Sequence, residues 1–251
     1  MNRFRLQAWL VGAAALLVLA LPARGSLITN GSFTSFTGTA TNPFVDGVVG
    51  GQQLTGWTGS VAGQASGSYP GLVCVEASAA TNPFCGYAKF AYNPGASPDG
   101  GNYVMFDADP NNTAKISQTV NGLIVGQKYY LTFYQAATYQ ATTGGTTYTG
   151  ATNLNFNVTL GSQTISAPSP NPTTNTGAWQ LVTLLFTANA TSETLTFAAI
   201  GPTGGPPVLL LDGVNLVATT PEPATWMMMA LGGLFVVVGK IRMSRKKPTA
   251  E

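Results

Sequence analysis

Apolar and polar side chains alternate with a period of two along the middle of this chain. The segment Lys128–Ala136 places Tyr129, Leu131 and Phe133 on one face and Tyr, Thr and Tyr on the other. Leu154–Leu160 alternates in the same way. A period of two is typical of a half-buried β-strand, and no convincing apolar stripe with the period of a helix accompanies it. The middle of the chain is therefore predicted to be all-β.

The predicted strands are short and are separated by turns rich in Gly, Pro and Asn, which favours a β-sandwich. They are Leu27–Phe33, Leu72–Glu76, Tyr87–Tyr92, Tyr103–Asp107, Lys115–Val120, Lys128–Ala136, Leu154–Leu160, Trp179–Ala188, Glu193–Ile200 and Val208–Val217. Asn189–Ser192 has the length of a hairpin connection, and Asp212-Gly213 interrupts the last strand. Residues 34–53, 140–150 and 166–176 are predicted to be exposed loops.

Residues 1–25 have the three parts of a secretory signal peptide. Two positive charges precede an apolar run over Ala8–Leu21, and the small residues Ala23 and Gly25 occupy the cleavage positions. We expect cleavage after Gly25. An uncleaved membrane anchor is the alternative, although the run is short for a span, which needs about 20 residues.

Residues 221–251 form a second targeting segment. Pro221, Glu222 and Pro223 precede an apolar stretch at 224–241 that we predict to be a transmembrane helix, and a basic tail follows it. The positive-inside rule places that tail in the cytoplasm and residues 26–220 on the other side of the membrane. Both ends therefore predict export of a single β-sandwich domain.

The order of tripeptide, apolar helix and basic tail resembles the PEP-CTERM sorting signal. That signal belongs to exported proteins of Gram-negative bacteria that make extracellular polysaccharide. In that family exosortase, a transpeptidase-like membrane protease, removes the anchor near the motif. The resemblance implies exosortase as a partner, an intermediate anchored in the inner membrane, and a final location at the cell surface or outside the cell. The same tail is also labelled an ice-binding-protein C-terminal domain, and a plain single-pass anchor is the alternative.

Residues 26–220 resemble the galactose-binding-like jelly rolls common among bacterial carbohydrate-binding modules. The resemblance rests on the opening Leu27–Phe33 with Gly56-Trp57 downstream, on the middle segment 116–133, and on the closing Leu210–Leu216. It implies a jelly-roll β-sandwich and a glycan ligand. Members usually carry an acidic residue after the opening Phe, which often helps to bind a structural calcium, whereas this chain has Thr34.

Charge and composition exclude several classes of function. Residues 26–220 hold three Lys against seven Asp and Glu, a net charge of −4, although the whole chain carries +2. A charge of +2 spread over 251 residues gives no basic footprint for phosphates, which disfavours a nucleic-acid binder. The chain has no His, which removes imidazole as a catalytic base or metal ligand. No paired-carboxylate motif or phosphate loop is recognisable, and we predict that the chain is not an enzyme.

Two sets of side chains could hold a disulfide or a metal. Cys74 and Cys85 in an exported chain favour a disulfide, with a metal site or a reactive thiol as the alternative. Asp107, Asp109 and Asn111 place oxygen atoms at alternate positions, as the first half of a calcium loop does. A solvated turn is the alternative there, and no other cofactor is predicted.

Aromatic side chains are the predicted ligand contacts, because sugar rings lay their apolar C–H faces on aromatic rings. Trp57, Tyr139 and Tyr148 are the candidates, and Trp57 could instead be core. The sequence predicts a non-catalytic glycan-binding sandwich in the extracellular polysaccharide matrix. The alternative is a structural or adhesive matrix protein without a defined sugar site. Ice binding is disfavoured, because no regular Thr-x-Thr array repeats along the strands.

Overall fold

The computed structural model describes residues 25–37, 53–60, 73–77, 94–110, 114–139, 142–143, 146–147, 154–170, 178–202 and 207–219. These residues form strands and no helix. The strands are β1 (Phe36–Thr37), β2 (Gln53–Leu54), β3 (Thr58–Ser60), β4 (Val73–Ala77), β5 (Asn102–Asp107), β6 (Lys115–Asn121), β7 (Lys128–Tyr139), β8 (Thr142–Thr143), β9 (Thr146–Thr147), β10 (Asn155–Leu160), β11 (Gln163–Ser166), β12 (Gln180–Thr187), β13 (Ser192–Ile200) and β14 (Pro207–Ala218).

Ten of these strands form two antiparallel sheets, which confirms the all-β prediction. The first sheet has the order β11-β10-β13-β6-β3, and the second sheet has the order β12-β7-β14-β5-β4. The last four strands alternate between the sheets: β11 and β13 belong to the first sheet, and β12 and β14 belong to the second. The pairs β1–β2 and β8–β9 form two small additional sheets.

Phenylalanine rings fill the space between the two sheets. Phe106 and Phe133 of the second sheet meet Phe156 and Phe197 of the first, and all four are fully buried. The ring centroids of Phe106 and Phe156 lie 5.1 Å apart, as do those of Phe133 and Phe197, and both pairs meet edge to face. This geometry suits the ring quadrupoles. The alternating positions on β7 and β10 therefore point into one shared core.

Two predictions about the chain path are wrong. Leu27–Phe33 is not a strand, because Asn30 and Phe33 have φ angles of 54° and 50°, which turn the backbone. Only the start of this segment bonds to the last strand, β14, where the Leu27 N–H donates to the Leu216 carbonyl at 2.9 Å. The connection Asn189–Ser192 is not a hairpin, because β12 pairs with β7 and β13 pairs with β6 and β10. A short connection can cross between sheets, and length alone does not reveal that.

The predicted loops contain more regular structure than expected. Residues 140–150 contain the two-residue strands β8 and β9. Within 166–176, Ala167 and Pro170 are buried, and the Gln135 Nε2 donates to the Pro168 carbonyl at 2.6 Å. The predicted strand Tyr87–Tyr92 lies outside the described residues.

Residues 1–24 and 220–251, at the two ends of the chain, also lie outside the described residues. The chain divides into two compact units, Met1–Val217 and Ala218–Glu251. Within the described ranges, no helix is long and apolar enough to cross a membrane. The signal peptide, the boundaries at 25 and 220, and the transmembrane helix at 224–241 stay predictions.

Candidate functional site

The outer face of the first sheet carries a row of hydroxyl groups that crosses all five strands. Each member stands directly opposite the next in the strand register. The row consists of Thr58, Ser117, Thr196, Thr159 and Thr164. The Thr159 and Thr164 hydroxyls are 2.8 Å apart. Sequence reasoning searched for threonines along strands and missed this row, because it runs across them and only the register reveals it.

A groove of about 440 Å³ opens at the β3 side of this face. Its lining is Gly56, Trp57, Thr58, Ser117, Gln118, Thr119 and Thr194. The Gln118 side chain stabilises the groove: it accepts from the Thr29 N–H at 2.8 Å and donates to the Gly56 carbonyl at 2.8 Å. The groove therefore presents the hydroxyl groups of its Thr and Ser residues on a backbone that Gln118 holds in place.

Trp57 serves as core rather than as an open platform. Its side chain is only 6% exposed, and its ring packs against Phe33 and Phe197 at centroid distances of 5.6 and 6.3 Å. Its indole N–H donates to the Asn30 carbonyl at 3.1 Å. These contacts agree with the interpretation of Trp57 as a core residue and leave little ring surface for a ligand.

The outer face of the second sheet is apolar and aromatic. Tyr130 and Tyr134 on β7 stand directly opposite Leu185 and Leu181 on β12. Tyr130 is 46% exposed, Leu181 61% and Leu185 44%, whereas Tyr134 is half-buried. The two tyrosines are four residues apart, which is about 13 Å along a strand. We call these four residues the tyrosine face.

A kink in β14 seats the Tyr134 ring. Gly213 has a φ angle of 59°, and a Cβ atom there would lie 2.9 Å from the ring of Tyr134 and 3.1 Å from the Cβ of Asp99. Only glycine accommodates both the backbone angle and the close approach. The exposed Asp99 therefore lies beside Tyr134 at the border of the tyrosine face.

The loop that carries Asp99, residues 94–101, is fastened to the second sheet. The Trp179 indole N–H donates to the Gly95 carbonyl at 3.2 Å, and the Trp179 ring meets the edge of Tyr103 at a centroid distance of 5.5 Å. The Gly100 N–H donates to the Ser97 carbonyl at 3.0 Å and closes a turn around Asp99. Trp179 also packs on a buried cluster formed by Tyr103, Met105, Ala136, Val208 and Leu210.

Asp212 lies beneath this border and is fully buried, with 0% exposure. One carboxylate oxygen, Oδ1, accepts from the Gly213 N–H at 2.7 Å, while Oδ2 has no hydrogen-bond partner among the described residues. Burial raises the pKa of Asp212 from 3.8 to about 7, the Asp99 charge adds to the rise, and hydrogen bonds from Ser97 and Gly213 oppose it. Near neutral pH the group is therefore partly protonated.

The remaining predicted site residues are only partly described. Tyr139 is the last residue of β7 and is half-buried, in the second sheet, whereas Trp57 precedes β3 of the first sheet. Tyr148 lies outside the described residues, as do Asn111, Cys85 and the tripeptide Pro221, Glu222 and Pro223. Cys74 belongs to β4, but its side chain is not described. The disulfide stays a prediction.

The proposed calcium ligands form part of a local turn. The Asp107 Oδ1 accepts from the Asp109 N–H at 2.9 Å, and Asp107 is buried. Among the described residues no group of three or more Cys, Asp or Glu is arranged to hold a metal ion. The third predicted ligand, Asn111, is not described, so calcium binding here stays a prediction.

Sequence reasoning missed Tyr130 and Tyr134 on the outer face of the second sheet, and Asp99 on the loop at its border. The alternation along Lys128–Ala136 does place both tyrosines on the face away from Phe133, and that signal was available. No local sequence pattern indicates that Asp99 approaches Tyr134, because this approach depends on the kink at Gly213 and on a loop that is distant in sequence.

Residues 219–246 match the protein family described as the PEP-CTERM protein-sorting motif. The chain carries a PEP-CTERM sorting signal. This finding confirms the resemblance of the tail. The motif implies exosortase-dependent export and indicates sorting to the cell surface or the extracellular space.

One protein and several solved structures are similar to parts of this chain. The chain is 33% identical over 130 residues to halomucin of Haloquadratum walsbyi, a match that covers 49% of this chain and spans about 1% of halomucin. A cyclase from Fischerella sp. TAU, solved with 4-(1H-indol-3-yl)butan-2-one, superposes with a TM-score of 0.55 at 17% identity, over 80% of this chain and 100% of the cyclase. The structure of TmCBM61 with β-1,4-galactotriose gives a TM-score of 0.41 at 15% identity, over 78% of this chain and 100% of that one. The likeness to the cyclase extends to the fold alone.

Proposed function

We propose that this exported chain is a non-catalytic jelly-roll β-sandwich that binds neutral polysaccharide outside the cell through its tyrosine face. The alternation of strands between the two sheets from β11 to β14 supports the jelly-roll assignment. The observation that carries the function is the aromatic surface formed by the exposed Tyr130 and the half-buried Tyr134, with the Asp99 carboxylate beside Tyr134.

The tyrosine face combines the two kinds of group that sugar recognition needs. Aromatic rings provide apolar surface for the C–H faces of pyranose rings, and a carboxylate accepts hydrogen bonds from sugar hydroxyls. Tyr130 and Tyr134 stand on an inner strand of the second sheet, so the spacing of their Cα atoms is set before the ligand arrives. A backbone that is already ordered loses little entropy on binding, which favours affinity.

The charge of the domain favours a neutral polysaccharide. Residues 26–220 carry a net charge of −4, and the Asp99 carboxylate lies beside the Tyr134 ring. An anionic polymer would be repelled by both, while a neutral chain needs only stacking and hydroxyl contacts.

The absence of His from the sequence and the roles of two buried acids support a non-catalytic function. Glu193 is buried, and its Oε1 accepts from the N–H groups of Asn189 and Ala190 at 2.8 and 3.0 Å. Asp212 is engaged at the kink below Tyr134. Both carboxylates are buried and each has one oxygen bonded to backbone N–H groups, so neither is exposed as the open member of a hydrolytic pair.

A structural or adhesive role in the matrix is the second candidate. The exposed Leu181 and Leu185 favour it, because neighbouring exposed apolar side chains mark surfaces that contact other proteins. Under this alternative the same face contacts a protein and binds no glycan.

A glycan array separates the two candidates. The exported protein, recovered from a host with exosortase, is applied together with the variants Tyr130→Ala and Tyr134→Ala. We expect binding to neutral glycans and a loss of about 5- to 150-fold in affinity for each variant, which corresponds to about 1–3 kcal/mol per stacked ring. Val125→Ala is the control, because Val125 is exposed and lies on the turn before β7, outside the four residues of the tyrosine face.

A second control tests the location of the site. Thr119 and Thr194 stand opposite each other in the groove of the first sheet. The double variant Thr119→Ala, Thr194→Ala is expected to bind like the parent protein. Loss of binding in this variant with retention in Tyr134→Ala would move the site to the groove. If the parent protein binds no glycan on the array, the result would support the structural or adhesive role instead.

A further inference from the structure

The strand β12 is an open edge of the second sheet, because β7 is its one neighbour there among the described strands. The Ala188 N–H donates to the Gln127 carbonyl at 3.0 Å, so the even-numbered residues direct their backbone groups toward β7. The Thr187 N–H points the other way and donates to the Gln163 Oε1 at 2.9 Å. The N–H and C=O groups of Leu181, Thr183 and Leu185 therefore point outward, and all three residues are exposed.

This edge lacks the features that usually protect a sheet edge from pairing. Edge strands are commonly short, charged or interrupted by Pro or a bulge. β12 has eight residues, none of them charged and none of them Pro or Gly. The other edges differ: β3 has three residues including Gly59, β11 has four, and β4 contains Glu76. In the described part of the chain, no residue bonds to the outward groups of Leu181, Thr183 and Leu185.

We propose that β12 pairs with β12 of a second copy of this chain, antiparallel about a two-fold axis at Thr183. In this register Leu181 of each copy stands opposite Leu185 of the other, and Thr183 stands opposite Thr183. The outward groups of three residues per copy form up to about six interchain hydrogen bonds. The two five-stranded sheets become one continuous sheet, and the contact is isologous and closed.

The chemistry of the edge favours a copy of itself over another strand. A charged strand paired with β12 would have no opposite charge across from it. Its own charge would be buried beside Leu181 or Leu185, which is unfavourable. The identical strand is uncharged and places leucine beside leucine on the outer face. Val182 and Leu184 point to the core at this edge with slight residual exposure, and pairing would cover them as well.

Disulfide trapping in the full-length chain tests the proposal. Residues in a hydrogen-bonded antiparallel pair have Cα atoms about 5.5 Å apart, which lies within the range that a disulfide bridges. The variant Thr183→Cys, exported from an exosortase-containing host, is expected to run as a covalent dimer on a non-reducing gel. The parent chain controls for Cys74 and Cys85. Thr132→Cys, which stands opposite Thr183 one strand inward, is expected to give no dimer.

The register has its own test. Leu181→Cys and Leu185→Cys, carried on chains of different size, are expected to cross-link to each other and not to themselves, because equal positions then lie far apart along the paired strands. Adding Thr183→Pro to both chains removes an outward N–H without breaking the ladder to β7, and the cross-link is expected to disappear. The absence of a dimer in both cysteine tests would overturn the proposal. So would a cross-link to a different protein, or self-cross-linking of Leu181→Cys as strong as the mixed product.

Discussion

Replacing Asp212 by Asn is expected to remove a pH dependence from the stability of the domain. The buried carboxyl has a pKa of about 7 in the folded protein and 3.8 as its ordinary value. Between these pH values the folded protein holds a proton that the unfolded chain has released. The free energy of unfolding therefore falls as the pH rises from about 4 to about 7, and it levels off above that range.

The size of the effect follows from the two pKa values. Raising the pH from 5 to 8 is expected to lower the free energy of unfolding by about 3 kcal/mol through this group, at about 1.36 kcal/mol for each pKa unit. The amide of the Asp212→Asn variant would keep an oxygen for the Gly213 N–H and would be neutral at every pH. Any fixed cost of the new amide affects both pH values equally, so the difference between them isolates the titration.

Urea denaturation of the exported protein at pH 5 and pH 8 measures this difference. The parent protein is expected to lose about 3 kcal/mol more than Asp212→Asn between the two conditions. Asp109→Asn is a suitable control, because Asp109 is a partly exposed turn residue. Parallel behaviour of the parent protein and Asp212→Asn would refute the reasoning, because the buried acid would then be ionised throughout.

Other substitutions test the frame around the site and the two ends of the chain. Gly213→Ala is expected to cost about 2 kcal/mol in urea denaturation and to weaken glycan binding, because the new methyl group meets Tyr134 and the φ angle disfavours alanine. Gln118→Leu is expected to cost about 3 kcal/mol in the same assay, because it leaves the backbone groups of Thr29 and Gly56 without their partners. If Cys74 and Cys85 form a disulfide, the mass of the protein is expected to increase by that of two hydrogens after reduction, as measured by mass spectrometry. Replacing Pro221, Glu222 and Pro223 with alanines is expected to leave the anchor uncleaved on a membrane-fraction immunoblot.

Each of these expectations has a contradicting result. Unchanged stability in Gly213→Ala would mean that the kink relaxes, and unchanged stability in Gln118→Leu would mean that water replaces the amide. Two free thiols in the native exported protein would exclude the disulfide. Normal release of the alanine variant would mean that processing does not need the tripeptide.

The strands of the core were predictable because burial of one face gives a strand a period of two in its sequence. Lys128–Ala136 and Leu154–Leu160 fall within or beside β7 and β10, and their apolar positions meet at Phe133 and Phe156 in the core. The sorting signal was predictable for another reason, since its three elements follow one another along the chain. Neither inference required knowledge of which strands are neighbours.

The site was not predictable because it depends on register and on backbone angles. The opening segment failed as a strand because Asn30 and Phe33 adopt positive φ angles, which the residue types only weakly indicate. The row of hydroxyls from Thr58 to Thr164 exists only across strands. Asp99 reaches Tyr134 only through the kink at Gly213. Local patterns cannot encode contacts between segments that are far apart in sequence.

Tryptophan fluorescence during titration with a neutral polysaccharide tests the central claim most directly. Trp179 fastens the loop that carries Asp99, beside the tyrosine face. We predict a saturable change in emission for the parent protein, a much weaker response for Tyr134→Ala, and an unchanged response for Val125→Ala. A flat response of the parent protein to neutral polysaccharides, or a saturable response that Tyr134→Ala retains in full, would contradict the claim that this face binds glycan.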